Sequence, residues 1–361
     1  MPRLLPKPLL SLCSLLIIVL LLLAGEFICR ATTHLNFSGF SKELFIKNAF
    51  GTSKGLAKHA EGLAFGVPVF TDEHGFRVPR GRPVASTAQH DALLLLGDSV
   101  GFGPGVEEDQ TIAGRLRAAL PDTRVYNASV PSYNTHDYQH VIEEFIPDHR
   151  EIDRVYLLFC LNDVESVSSK LIDEYLNAPR ADLKPAASLT TRVRTAPWIE
   201  RAHELLRTRS ALYLFIKNKL TNPPRRYWAE IAHYYAAGNE PYLASVLQPL
   251  ADVAEFLHVR RIGFLVLISP YTYQFLGREP NLMKPQEQVR AFCAQRRIVC
   301  VDAVDALRAS GLPMRRLFLP DDPDHYSPDG HAVIAQMILA RERAWRSPGN
   351  SVGRLDARRP P

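Results

Sequence analysis

A serine becomes a nucleophile when a histidine can take its proton and a carboxylate holds that histidine in the right tautomer. One serine of this chain is placed for that work. Gly97-Asp98-Ser99-Val100-Gly101 directly follows the apolar run 92–96 (ALLLL). A serine at the carboxyl end of a parallel strand, opening onto a helix N-terminus, sits where α/β folds hold ligands and where N–H groups can meet developing negative charge. A base and an acid stand together far along the chain, in Asp322-Pro323-Asp324-His325. Asp322 and His325 are three apart, so one turn of chain can join them. Pro328 at a predicted helix start and the apolar run 332–338 anchor that loop. Asn162, in Cys160-Leu161-Asn162-Asp163, follows another apolar run and can aim its side-chain amide at an oxyanion. The small-residue stretch 127–135 (NASVPSYNT) can place a main-chain N–H beside the nucleophile.

Each signal also has a plainer reading. The pentapeptide fits the G-x-S-x-G elbow of α/β-hydrolases, or a turn with no active serine. The Asp322 loop is also read as an acidic surface loop, or, with Asp324 and His331, as a metal site. Asn162-Asp163 is also a simple turn. The α/β-hydrolase reading fails on order, because that fold sets several strands before its nucleophile and separates the acid from the histidine. The run Gly101-Phe102-Gly103-Pro104-Gly105 is no dinucleotide fingerprint: it lacks G-x-G-x-x-G, and Pro104 removes an N–H. No CxxC occurs, and no Cys/His spacing matches a zinc site. Cys293 and Cys300 can pair only where the fold joins them in an oxidising compartment.

The elements that must position these residues read as follows. Five apolar runs, 92–96, 123–126, 154–159, 262–268 and 297–301, have the near-continuous character of strands buried on both faces. Helical patterns at 109–120, 138–146, 243–258, 284–296 and 328–345 separate them. That alternation predicts an α/β domain with a doubly wound five-stranded parallel sheet over 91–345. Residues 31–90 form a lead-in arm, in which 67–80 reads as a short hairpin or an extended arm, with Asp72–Gly75 supplying the turn. Residues 165–240 read as a helical insertion, with one helical piece over 198–220 ended by Pro223 and Pro224. Its aromatics Trp198, Tyr213, Phe215, Tyr227, Trp228, Tyr234 and Tyr235 either pack onto the main domain or line a sugar-binding cleft. Residues 346–361 read as a solvated tail.

Residues 9–25 carry no charge and follow Arg3 and Lys7. At about 1.5 Å per residue the run spans roughly 25 Å, the short end of a bilayer core. Segment 1–30 is therefore a transmembrane anchor or a cleaved signal. Either way the basic end stays in the cytoplasm and the rest crosses to the periplasmic or extracellular side. The net charge of +5 sits at the ends: two units before the apolar run and four after residue 340, which leaves 8–340 at −1. The body has no basic excess for a phosphate backbone, so nucleic acid is not an expected partner.

The order of the signals along the sheet resembles that of the SGNH (GDSL-type) hydrolase superfamily. Gly97-Asp98-Ser99 matches its nucleophile block, Cys160-Leu161-Asn162-Asp163 matches its Gly-x-Asn-Asp in part, and Asp322 with His325 matches its Asp-x-x-His. The wording FTDEHGFRVP and LLLLGDSVGFGPGVEEDQTIAGRL looks like bacterial membrane-anchored members. The resemblance spans roughly 67–340. It implies a flavodoxin-like sheet, Ser99, Asp322 and His325 as the catalytic residues, and Ser99, Ser132 and Asn162 around the oxyanion. It implies neither metal nor organic cofactor. The implied activity is that of an esterase or acyltransferase on acyl, often acetyl, esters of cell-surface or exported carbohydrate. The alternative is a weak or inactive glycan-binding or assembly protein on the same fold. Two departures stand out: Ser132 aligns with the glycine of the family's second block, and Cys160 takes the glycine of its third.

Overall fold

The computed structural model describes residues 7–32, 39–52, 54–81, 91–165 and 197–346. These fall into two compact units: the described parts of 1–38 and 178–222, and those of 39–177 and 223–361. The start of the predicted insertion (166–196) and the predicted tail beyond Arg346 lie outside the described residues.

The smaller unit holds α1 (Lys7–Thr32), α5 (Pro197–Arg209) and α6 (Ala211–Thr221). Among the described residues α1 is the one helix long and apolar enough to cross a membrane. The single helical piece predicted over 198–220 is two helices. Ser210 breaks it, because its hydroxyl accepts the Tyr213 N–H at 3.1 Å and so caps a new helix. Asn222 ends α6 in the left-handed conformation.

The larger unit is built on strands β6 (Ala92–Gly97), β7 (Arg124–Asn127), β8 (Ile152–Cys160), β9 (Gly263–Ser269) and β10 (Val299–Asp302). They form one parallel sheet in the order β10-β9-β8-β6-β7. Every residue of β6 is buried, which is why its sequence shows no alternation. The chain leaves β6 for β7 on one side and returns to β8 on the other. The carboxyl end of β6 is thus a topological switch point, where the crevice between diverging loops opens. Helices α2 (Ser99–Phe102), α3 (Ile112–Ala119), α4 (Thr135–Phe145), α7 (Pro223–Tyr234), α8 (Glu240–Val259), α9 (Lys284–Gln295) and α10 (Pro328–Arg346) belong to this unit, together with shorter helical turns. Helix α4 starts three residues before its predicted bound, because Asn134 and Asp137 form a reciprocal capping box. Pro223 opens α7 rather than only ending what precedes it, as proline at a first helical position can.

The arm supplies a two-stranded pair, β1 (Phe45–Ile46) with β2 (Gly55–Leu56), and an antiparallel sheet of β3 (Glu61–Ala64), β4 (Val67–Thr71) and β5 (Arg77–Val78). The predicted hairpin is β4–β5. Asp72 Oδ1 accepts the His74 and Phe76 N–H groups at 2.9 and 2.8 Å to make its turn. From β5 the buried Arg77 reaches into the larger sheet's rim. Its guanidinium donates to the carbonyls of Phe102 and Gly103 at 2.7 and 2.6 Å and of Val106 at 2.6 Å. Those carbonyls belong to the segment that leaves the Ser99 turn. Arg77→Met strands three buried acceptors and is expected to cost about 3 kcal/mol, read as a lower urea midpoint. An unchanged midpoint would rule out this clamp.

Candidate active site

The Ser99 turn is built from its neighbours' lack of side chain. Asp98 caps α2, its Oδ1 accepting the Val100 N–H at 2.8 Å. A Cβ on Gly97 would meet the Leu158 carbonyl at 2.9 Å, and one on Gly101 would meet Ser129 Oγ at 2.4 Å. The chain can therefore turn this tightly against β8 and the β7 loop only with glycine on both sides of Ser99.

The loop that carries the base is fixed from both ends. Phe318 bridges Tyr326, and the Leu319 N–H donates to the His325 carbonyl at 2.9 Å. Tyr326 Oη lies 2.6 Å from Ser269 Oγ at the end of β9. Thr272, just past β9, donates its N–H to the Pro323 carbonyl at 2.7 Å and its hydroxyl to the Asp322 carbonyl at 2.9 Å. Within the loop, Asp322 Oδ1 accepts the N–H groups of Asp324 and His325 at 3.0 and 2.8 Å. That leaves Oδ2 aimed at His325 Nδ1, 2.8 Å away. His325 Nε2 lies 2.9 Å from Ser99 Oγ. A hydroxyl, an imidazole and a carboxylate predicted from two stretches 223 positions apart thus stand in one hydrogen-bonded line. Phe65, from the β3–β4 turn, sets its ring edge-on to His325 at 5.3 Å between centroids.

Negative charge is concentrated beneath this line. Asp324 Oδ1 is 3.7 Å from His325 Nδ1, and the Cys160 thiol donates to Asp324 Oδ2 at 3.6 Å. Burial pulls the His325 imidazolium down, but Asp322, Asp324 and Asp98 outweigh it and hold its pKa up at about 10. Burial, reinforced by Asp322 and Asp98, pushes Asp324 up despite His325 beside it. Burial also raises Asp98 and, far more, Asp163, whose Oδ2 accepts from Tyr138 Oη and the Cys160 N–H, each at 2.8 Å.

Ser132 and Asn162 lie in the loops after β7 and β8, the two strands that flank β6. Ser132 is the third residue of a turn closed by the Tyr133 N–H on the Val130 carbonyl at 3.1 Å, with Pro131 before it. Its φ is +62°, the left-handed value that this turn position normally gives to glycine. The Ser132 departure therefore carries backbone strain. Cys160 is extended, with φ −89° and ψ 150°, so the other departure carries none. Ser132→Gly is expected to relieve about 1–2 kcal/mol of strain against about 0.4–1 kcal/mol of added unfolded-state entropy. The net result is a slightly higher urea midpoint, and a lower one would contradict the strain. Asn162 sits in the short turn Leu161–Val164, with its Oδ1 buried.

Two groups of ligating atoms lie within 4.8 Å of one another, Asp98 with Cys160 and Asp324, and Asp322 with Asp324 and His325. The hydrogen bonds from His325 Nδ1 and the Cys160 thiol already engage both groups. His331 does not join either. It is buried, its Nδ1 accepts the Ile112 N–H at 3.2 Å, and burial with Arg77 and Arg115 lowers its pKa to about 3. The metal reading that counted His331 is thereby corrected. Two of the insertion aromatics pack rather than line a cleft: Trp228 is buried near Tyr271, and Tyr235 is buried with its Oη on the Leu161 carbonyl at 2.9 Å. Cys293 and Cys300 are free thiols, and the neighbouring Cys293 thiol together with burial pushes the Cys300 thiol up. Sequence reasoning missed Thr272, Phe65 and Arg77.

The fold and this rim together define a doubly wound α/β protein whose five-stranded parallel sheet carries Ser99, Asn162 and the Asp322/His325 loop at its carboxyl edge. Solved structures similar to the chain include a lipolytic protein of the G-D-S-L family from Veillonella parvula, at 11% identity over 69% of this chain and 96% of that one, TM-score 0.39. A lipase/acylhydrolase from Enterococcus faecalis has 13% identity over 72% and 100%, TM-score 0.39. A catalytic mutant of an acetylxylan esterase from Geobacillus stearothermophilus has 14% identity over 71% and 95%, TM-score 0.38. No protein-family model and no curated relative matches the chain.

Proposed function

We propose that the protein is a serine esterase or O-acyltransferase working through an acyl-enzyme. The observation that carries the proposal is the contact of His325 Nε2 with Ser99 Oγ at 2.9 Å while Asp322 holds Nδ1 at 2.8 Å. Ser99 Oγ attacks the ester carbonyl as His325 takes its proton. His325 then returns that proton to the departing alkoxide, and water or a sugar hydroxyl attacks the acyl-enzyme by the same path in reverse. The Ser99 and Ser132 N–H groups and the Asn162 amide are assigned to the oxyanion. The acyl group is taken to be acetyl, as the resemblance to SGNH hydrolases implies. The substrate assigned here is an acyl ester of cell-surface or exported carbohydrate.

Segment 1–30 is assigned as an uncleaved anchor with the larger unit on the periplasmic or extracellular side. Arg3 and Lys7 hold the amino end in the cytoplasm. α1 runs unbroken from Lys7 to Thr32, past the end of the apolar run. Glu26 accepts from Ser210 Oγ and from the Ala211 and Leu212 N–H groups at 2.8, 2.9 and 3.0 Å, so it is part of the folded unit.

The test is mass spectrometry of the full-length protein in detergent after treatment with a fluorophosphonate. An adduct on Ser99 is expected. A folded protein that takes none there would favour the alternative, a glycan-binding protein on this fold. Release of p-nitrophenol from its acetate, with and without an oligosaccharide acceptor, then separates transfer from hydrolysis.

The acidic surroundings give this mechanism a pH signature. Only neutral imidazole accepts the Ser99 proton, so kcat/KM rises as His325 loses its proton. Because that pKa is raised, the acid limb is expected above the ordinary value of about 6.5. Asp324→Asn removes one of the carboxylates responsible and should move the limb down. A pH–rate profile with phenyl acetate, corrected for spontaneous hydrolysis, checks both; identical limbs in the two proteins would discount Asp324.

A further inference from the structure

The smaller unit exposes apolar side chains on helices other than the one read as the anchor. Outside α1, Leu220 at 81% and Trp198 at 71% are the most exposed large apolar side chains described, and Leu206 and Ile216 are exposed as well. Ile216 and Leu220 are four apart on α6, so they form one stripe. Lys219 lies beside that stripe, exposed, with its Nζ 5.7 Å from the Phe215 ring. On α5 the exposed Arg201 and Arg209 accompany Trp198 and Leu206. An indole and branched aliphatics interleaved with basic side chains are the composition of a helix lying in a lipid headgroup layer.

What covers this face follows from where α6 begins. The uncharged run of α1 ends at Gly25. A Cβ on Gly25 would lie 3.2 Å from Leu212 Cδ2, so glycine lets the first turn of α6 seat against α1 there. Glu26, the next residue, caps α6 through the three hydrogen bonds to Ser210, Ala211 and Leu212, and Arg30 pairs with Glu26 at 2.7 Å while donating to the Arg209 carbonyl. The junction of α5 and α6 is thus tied to the level at which α1 passes from hydrocarbon to water. The interfacial layer on each side of a bilayer core is roughly 5–8 Å deep. Long basic side chains at that depth reach the headgroups while their neighbours enter the acyl region.

We propose that α5 and α6 form an interfacial membrane-binding element. It inserts Trp198, Leu206, Ile216 and Leu220 into the outer edge of the bilayer and meets anionic headgroups with Arg201, Arg209 and Lys219. This rests on the anchor reading of α1 and adds to it a second, independent contact with lipid.

The full-length protein, reconstituted in vesicles of phosphatidylcholine and phosphatidylglycerol, tests it through tryptophan quenching by lipids brominated near the top of the acyl chain. Wild type is expected to lose clearly more emission than Trp198→Phe, and the paired change I216E/L220E should shrink that difference by more than half. Equal quenching in wild type and Trp198→Phe overturns the proposal. So does a Trp198 shielded from acrylamide but untouched by bromolipid, which would mean a protein covers the face. Intact mass and resistance to carbonate extraction report separately on α1. Loss of the first residues with release from membranes overturns the anchor reading and this proposal together, whereas a retained α1 with no Trp198 quenching overturns this proposal alone.

Discussion

Ser99→Ala is expected to lower kcat/KM for p-nitrophenyl acetate on the order of 10⁴–10⁶-fold, to the residue left by binding and the remaining oxyanion donors. The substitution removes the hydroxyl that lies 2.9 Å from His325 Nε2 and donates to the buried Asp98 Oδ2 at 3.2 Å. Asp98 caps α2 through the Val100 N–H, a bond that does not involve the Ser99 side chain. With the cap kept and one long hydrogen bond lost, stability should fall by no more than about 1 kcal/mol, read at the urea midpoint, and the loss of rate can be read as chemistry rather than unfolding. Turnover within tenfold of the wild type, in a protein that is still folded, would sink the assignment of Ser99 as nucleophile.

Asp322→Asn is the second large effect, a fall of about 10⁴-fold in kcat at neutral pH. The reason lies in the two oxygens of Asp322. Oδ1 accepts the Asp324 and His325 N–H groups, a task the asparagine oxygen can keep, so the loop should hold its shape. Oδ2 faces His325 Nδ1 at 2.8 Å, where asparagine presents an N–H₂. Two donors cannot face each other, so the imidazole takes the tautomer with its proton on Nε2. In that form it cannot accept from Ser99. Asp324, at 3.7 Å from the same nitrogen, is too far to restore the hydrogen bond, though its charge still acts on the ring. The pH–rate limb should accordingly move down along with the fall in rate. A loss below tenfold would mean that Asp324, not Asp322, orients the base.

Ser99, Asn162 and Asp322/His325 were legible because each stands just past an apolar run or within a short polar loop, and those runs alone imply the sheet edge. The five runs predict all five strands of the sheet to within two residues, and most clearly the central β6 and β8, whose burial on both faces leaves no alternation. Less legible were features whose partners are remote. Arg77 clamps carbonyls of residues 102–106, Thr272 holds a loop 50 positions later, and Phe65 meets a histidine in a different third of the chain. Spacing carries no trace of such pairs. The break at Ser210 was masked by helix formers on either side and shows itself only through the hydroxyl cap.

Residue types and their local order, by themselves, determined the strands, the helices between them, the charge-free amino-terminal run and which residues are proposed as nucleophile, base and acid. All of these depend on side-chain polarity and on neighbours within one or two turns of chain. Only the tertiary structure decided that Oδ2 rather than Oδ1 of Asp322 meets the imidazole, that Ser132 bears a left-handed backbone while Cys160 does not, that His331 is sealed away from the acidic cluster, and that Glu26 caps a helix begun at Ala211. Each of these turns on ångström-scale distances between segments brought together by packing, and such distances are set by the whole core at once rather than by any stretch of sequence.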